Sequence, residues 1–208
     1  MKILVVGGAL NYARWISDDI EFVKEVKDAD LVLFTGGEDV CPTVYDEECN
    51  HKTCFSRKRD IQEIEVYRET RYLSKSMIGI CRGSQLLTAL QPNGRLVQHV
   101  DNHGIGGTHD IIFKDGTILP ITSTHHQMMY PFNINHYELI AWASPARSSN
   151  YEFGPHDSLK TLHIGQEPEI IFYPRTKCLC IQGHPEHMRS NCETVIKLRE
   201  LVKEKLKL

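Results

Sequence analysis

The chain has 208 residues, of which 41% are hydrophobic and 25% charged, and carries a formal net charge of −3. That supplies one sizeable core and too little chain for two typical domains, so a single domain over residues 1–208, with no fused synthetase, is expected. Interspersed charges exclude a strong nucleic-acid footprint, and no apolar stretch reaches the length of a membrane span, so neither nucleic acid nor a membrane is an expected partner.

Residues 2–6 read as a buried strand, and after Gly7 and Gly8 an irregular segment leads to residues 18–27, whose apolar spacing is helical. Residues 31–34 form an apolar run stopped by Thr35, Gly36 and Gly37, the pattern of a buried parallel strand opening into a loop. Residues 46–56 are polar and loop-like, and Arg57, Lys58 and Arg59 form a basic run at the solvated start of an amphipathic helix over 60–73. Residues 77–80 are the next strand, followed by a helix over 82–90 that Gln91, Pro92, Asn93 and Gly94 stop. From Arg95 to Ile181 the chain turns strand-rich, with candidates at 96–100, 111–113, 137–142 and 169–172, and residues 190–207 close the chain as a helix. Strands alternating with helices early on imply an α/β fold with a mostly parallel central sheet flanked by helices, and the later strands add antiparallel pairings at one side.

The densest chemistry lies at the strand-to-helix junction, where Cys81 stands between Gly79 and Gly83. A nucleophile on so tight a turn needs neighbours without side chains, as in the G-x-S-x-G elbow of serine enzymes. The first turn of the following helix favours the thiolate over the thiol. A second apolar run, residues 178–181, ends in Gln182, Gly183, His184, Pro185 and Glu186. Residues i and i+2 of an extended segment share a side, so Glu186 can hold one ring nitrogen of His184 while the other faces the thiol. Pro185 keeps His184 out of the helical region. Cys81, His184 and Glu186 are therefore the expected nucleophile, base and orienting carboxylate.

Four segments carry a resemblance to a known family: residues 34–45 (FTGGEDVCPTVY), 79–87 (GICRGSQLL), 123–127 (STHHQ) and 182–186 (QGHPE). They resemble the class I glutamine amidotransferases, most closely their gamma-glutamyl hydrolase branch, and occur in the family's order. The resemblance implies the family's flavodoxin-like fold and no cofactor. It implies an oxyanion hole made by the N–H groups of Gly37 and Arg82, and a glutamyl pocket using Gln85, His125, His126 and Gln127. The implied reaction is cysteine-dependent hydrolysis of a gamma-glutamyl amide through a thioester, with a small-molecule gamma-glutamyl substrate. Two alternatives stay open: a glutaminase subunit passing ammonia to a separate synthetase, and an inactive binding or regulatory homologue. Arg82, beside the thiol, is expected to bear on substrate size. The 28 residues from Gly7 to Phe34 are fewer than the branch usually has, so an element is expected to be missing or compressed there.

Eleven histidines and seven cysteines raise the question of a metal. Adjacent His125 and His126 suggest one, but Cys178, Cys180, His184, His187 and Cys192 lack the C-x-x-C pairs of structural zinc sites, and Cys41, Cys49 and Cys54 show no ligand pattern. No metal is expected. An odd cysteine total, no signal-like amino-terminal stretch and a candidate catalytic thiol point to a reducing cytoplasm.

Overall fold

The computed structural model describes residues 1–162 and 165–208. Its strands, in chain order, are β1 (Lys2–Val6), β2 (Glu21–Phe22), β3 (Leu31–Phe34), β4 (Ser76–Ile80), β5 (Arg95–Val97), β6 (His99–Val100), β7 (Gly107–Phe113), β8 (Ile118–Ser123), β9 (Met128–Tyr130), β10 (Glu138–Ala143), β11 (Tyr151–Glu152), β12 (Ser158–Leu159), β13 (Glu167–Tyr173) and β14 (Cys178–Ile181). The α-helices are α1 (Arg57–Tyr72), α2 (Arg82–Ala89) and α3 (Glu193–Leu206). Nine strands form one sheet in the order β2-β1-β3-β4-β14-β13-β10-β7-β8. Pairings from β2 through β14 are parallel, and those from β14 to β8 antiparallel.

The parallel strands are buried on both faces, which is why they read as continuous apolar runs. Leu31, Leu33, Ile78, Ile80, Leu179 and Ile181 pack on one side with Trp15 and the α3 residues Leu198 and Val202. Val32, Phe34, Met77, Cys178 and Cys180 face the other, against Leu86 and Leu87 of α2 and Tyr67 of α1. Cys178 and Cys180 thus share one core face, and burial pushes the Cys178 thiol up to about 12.

The helix expected over 18–27 is corrected. That stretch holds the two-residue edge strand β2 and a 3-10 turn, Val26–Asp28. Backbone N–H groups of Glu21 and Val23 donate to the Met1 and Ile3 carbonyls at 3.0 and 3.1 Å, so sheet-edge pairing satisfies backbone that a short helix would have left in water. Besides β2, the connection from β1 to β3 holds the 3-10 turns Leu10–Ala13 and Val26–Asp28. The single strand expected over 96–100 breaks at Gln98. There β5 pairs with β9 and β6 with β11, while the Gln98 side chain accepts from Asn50 N and Thr53 Oγ1 and donates to Glu48 O, pinning the 46–54 loop.

Candidate active site

Cys81 sits between β4 and α2 with φ 49° and ψ −110°, a conformation that residues with a Cβ rarely adopt. The turn is held from both sides: Cys81 N–H donates to Ile181 O at 2.8 Å, and a Cβ on Gly83 would stand 2.2 Å from Phe34 O. One on Gly79 would stand 2.5 Å from Ser84 N, so both flanking glycines are required by close backbone contact. Strand pairing of β14 with β4 brings the next segment alongside, and His184 arrives at φ −116° and ψ 80°, outside the helical region as Pro185 demands.

The expected geometry of His184 and Glu186 needs one correction. Pro185–His187 is a 3-10 turn rather than an extended segment, and the turn folds Glu186 back so that its Oε1 lies 2.7 Å from His184 Nδ1. Nε2 is left for the Cys81 sulfur. Burial opposes a charge on this ring, but Cys81 and Glu186 outweigh it and raise His184 to about 10. His187 stacks on His184 with ring centres 5.0 Å apart.

Gly36 lies against both groups: a Cβ there would be 3.1 Å from His184 Cε1, 3.6 Å from Cys81 Cβ and 3.0 Å from the Tyr12 hydroxyl. Tyr12 therefore belongs to the site, although nothing in its irregular segment marks it in the sequence. Burial, then the negative groups Glu186 and Cys81, raise its hydroxyl above the usual range. Arg59 was also missed. Expected in water, it is 16% exposed and donates to Gly36 O at 2.8 Å, Glu63 Oε1 at 2.7 Å and Glu38 Oε2 at 2.7 Å, bracing the Thr35–Gly37 loop.

Gly37, Cys81, Gln85, His125, His126 and Gln127 line one pocket of about 180 Å³, with Asp39 and Cys54 among the other walls. Clefts of about 430 and 420 Å³ lie elsewhere on the surface, so size does not pick out the site; convergence of polar groups on Cys81 does. Gln85 is buried and points inward, donating from Nε2 to Gln127 O at 2.9 Å. His126 Nε2 is 3.0 Å from Asp39 Oδ1, and that carboxylate raises its pKa. Gln127 Nε2 donates to Thr53 Oγ1 at 3.2 Å, while its Oε1 is buried with no partner among the described residues. The polar loop over residues 46–56 reaches this pocket through Cys54.

Two residues are placed differently from expectation. The Arg82 side chain is 1% exposed and turns away from the pocket to pair with Asp60 and Glu63 of α1, so it cannot gauge the substrate; its backbone N–H, at the first position of α2, has no carbonyl one turn back to bond. The His125 ring also turns inward, with Nδ1 2.8 Å from Gln127 O and Nε2 3.7 Å from Glu169 Oε1. Among the described residues no helix is long and apolar enough to cross a membrane.

Solved structures share the fold at low identity. The glutaminase domain of Trypanosoma brucei CTPS with bound acivicin superposes with a TM-score of 0.58 at 10% identity, over 99% of this chain and 94% of that one. A glutamine amidotransferase of Thermotoga maritima gives 0.55 at 14%, over 99% and 84%. A GMP synthase component from Thermoplasma acidophilum gives 0.53 at 13%, over 100% and 98%. In sequence, 102 residues (49% of the chain) are 31% identical to a glutamine amidotransferase-like protein of Rickettsia prowazekii, covering 36% of it. A further match of 70 residues (33% of the chain) is 39% identical to a glutamine amidotransferase-like protein of Lactococcus lactis, covering 29%. These alignments span about a third of each relative's length. Residues 2–131 match the family model described as Peptidase C26, and the chain belongs to that family.

Proposed function

We propose that the protein hydrolyses a gamma-glutamyl amide through a thioester on Cys81. The observation that carries this reading is the junction of a strained Cys81 with the His184–Glu186 pair at one end of the pocket lined by Gly37, Gln85 and Gln127. The Cys81 thiolate attacks the side-chain carbonyl carbon, and the N–H groups of Gly37 and Arg82 receive the oxyanion. His184 gives its Nε2 proton to the leaving nitrogen, then takes one from the water that cleaves the thioester, while Glu186 keeps the Nδ1 proton in place. A pocket of about 180 Å³ suits an amino-acid-sized group, being smaller than the ~300 Å³ at which sites for drug-sized ligands begin. The unpaired Gln127 Oε1 is available to accept from the substrate's α-ammonium.

A second reading, supported by fold neighbours described as a CTPS glutaminase domain and a part of GMP synthase, passes the released ammonia to a separate synthetase. The test is glutamate release from glutamine and a panel of gamma-glutamyl amides by wild type and Cys81→Ala. Turnover is expected to fall by about 10⁴-fold or more in the variant. Equal turnover by the two proteins refutes the thioester. Strong activation by an added synthetase favours ammonia delivery over free hydrolysis.

A further inference from the structure

Behind the pocket, four side chains that the proposed reaction does not use converge in the interior. His103 follows β6, His109 lies on β7, His125 lies between β8 and β9, and Glu169 lies on β13. Their exposures are 0%, 5%, 3% and 0%. One ligand-type atom from each lies within 4.8 Å of all the others. We propose that His103, His109, His125 and Glu169 form a closed, four-coordinate zinc site that ties the antiparallel half of the sheet to the pocket wall.

The distances fit a single ion. His103 Nδ1, His109 Nε2 and His125 Nε2 stand 3.5, 3.2 and 3.7 Å from Glu169 Oε1. Ligands about 2.0–2.1 Å from a tetrahedral zinc are separated by about 3.4 Å, the edge of that tetrahedron. None of these three nitrogens, and neither oxygen of Glu169, has a hydrogen-bond partner among the described residues. So many buried polar atoms left unpaired would be costly without an occupant.

The opposite ring nitrogens fix which atoms face inward. His109 Nδ1 is 3.1 Å from the Asp110 carbonyl, and His125 Nδ1 is 2.8 Å from the Gln127 carbonyl. His103 Nε2 lies 3.1 Å from Glu167 Oε2, whose carboxylate is held by the N–H groups of Arg147 and Ser148 at 2.7 Å each. The Asp110 and Gln127 carbonyls are acceptors, so the outer nitrogens of His109 and His125 carry the proton and their inner nitrogens present lone pairs. His103 Nε2 makes no hydrogen bond in this geometry, but a proton on it facing the Glu167 carboxylate frees Nδ1 in the same way. Three lone pairs and a carboxylate then face one point, which calls for a cation. Histidines whose second nitrogen donates to a carbonyl or carboxylate are the usual setting of zinc ligands.

The donor set selects the metal. Magnesium and calcium seek six or more oxygens, whereas three imidazoles and one carboxylate suit zinc, and four protein ligands leave no open position for catalysis. The ion would instead fix geometry. His125 is followed by the pocket residues His126 and Gln127, and Glu169 O accepts from Gln182 N at 2.8 Å, two residues before His184. No sequence motif announces the site, because its ligands are spread over 67 residues on four segments.

The test measures metal and needs no activity. The full chain, produced with zinc in the medium, is expected to hold about one zinc per molecule by plasma mass spectrometry. Glu169→Gln and His109→Ala are expected to retain less than a tenth of that, and Cys81→Ser all of it. Cobalt replacing zinc should give the visible bands of a four-coordinate ion without sulfur-to-metal charge transfer. Should the ligand variants fail to fold, wild type stripped by a chelator should gain about 5–10 °C in Tm at a hundredfold zinc excess over Kd. Wild type with no zinc and no thermal response to it, or full zinc retention by folded Glu169→Gln and His109→Ala, overturns the proposal.

Discussion

Gln85 Nε2 donates to Gln127 O at 2.9 Å, joining the helix that follows Cys81 to the far wall of the pocket. Both residues are almost fully buried, so this bond is shielded from water and sets the spacing between the two walls. Removing it should loosen the pocket more than it disturbs the reacting atoms. Gln85→Ala is expected to raise KM for the glutamyl substrate about tenfold, equivalent to about 1.4 kcal/mol, with a smaller change in kcat. Steady-state kinetics on the best amide checks this; a variant losing only kcat would contradict it.

Glu186 acts on His184 through a 2.7 Å contact in which the Glu186 side chain is fully buried. Glu186→Gln preserves the shape while removing the charge and mismatching the ring proton. We expect kcat to fall about 10²- to 10⁴-fold, with circular dichroism unchanged. A variant within threefold of wild type would remove Glu186 from the mechanism.

The same pair predicts a pH dependence. Burial opposes protonation of His184, but Cys81 and Glu186 raise its folded-state value to about 10, above the unfolded value of about 6.5. A raised value means the folded state holds the proton more tightly, so this group's contribution is complete below about 6.5 and is lost as pH rises through about 10. Stability should therefore decline over that interval by up to about 1.4 kcal/mol per pH unit from this group. Urea unfolding at a series of pH values, compared with Glu186→Gln, should show a shallower decline in the variant; parallel curves would refute the assignment.

Arg82 has two parts to tell apart, a backbone N–H that the proposed reaction uses and a guanidinium buried against α1. The side chain pairs with Asp60 and Glu63, each of them 3% exposed or less, so removing it strands two buried carboxylates. Arg82→Met is expected to cost about 3–5 kcal/mol, and adding Asp60→Asn with Glu63→Gln should recover part of it. The folded fraction of Arg82→Met should keep kcat within about tenfold of wild type, since the backbone donor is retained. Denaturant melts and active-site titration decide between this and a direct substrate role.

Gly83 has no room for a side chain, with Phe34 O 2.2 Å from where its Cβ would stand. Gly83→Ala must push β3 away from α2 at the point where Gly36 packs on Cys81. Loss of soluble folded protein, or a drop of at least about 10²-fold in kcat/KM, is the expected result. Normal yield and activity would show that the turn tolerates a wider opening.

Local chemistry was legible in the sequence. Glycines flanking Cys81, a proline after His184, and short apolar runs before each are constraints that neighbouring residues impose on backbone, so strand ends and site segments could be read in order. The helix expected at 18–27 failed because periodicity over ten residues does not outweigh an available sheet edge beside β1.

What only the tertiary structure decided is the direction in which polar side chains look. Arg59 and Arg82 read as solvent or substrate residues until α1 supplied Glu63 and Asp60, and Tyr12 joined the site only because β1 and β3 are neighbours. Likewise His103, His109, His125 and Glu169 are unremarkable apart and meet only when β7 and β13 flank β10. The physical reason is one of range. Backbone geometry answers to residues a few positions away, whereas the partner of a buried charge is chosen by packing between segments far apart in the chain.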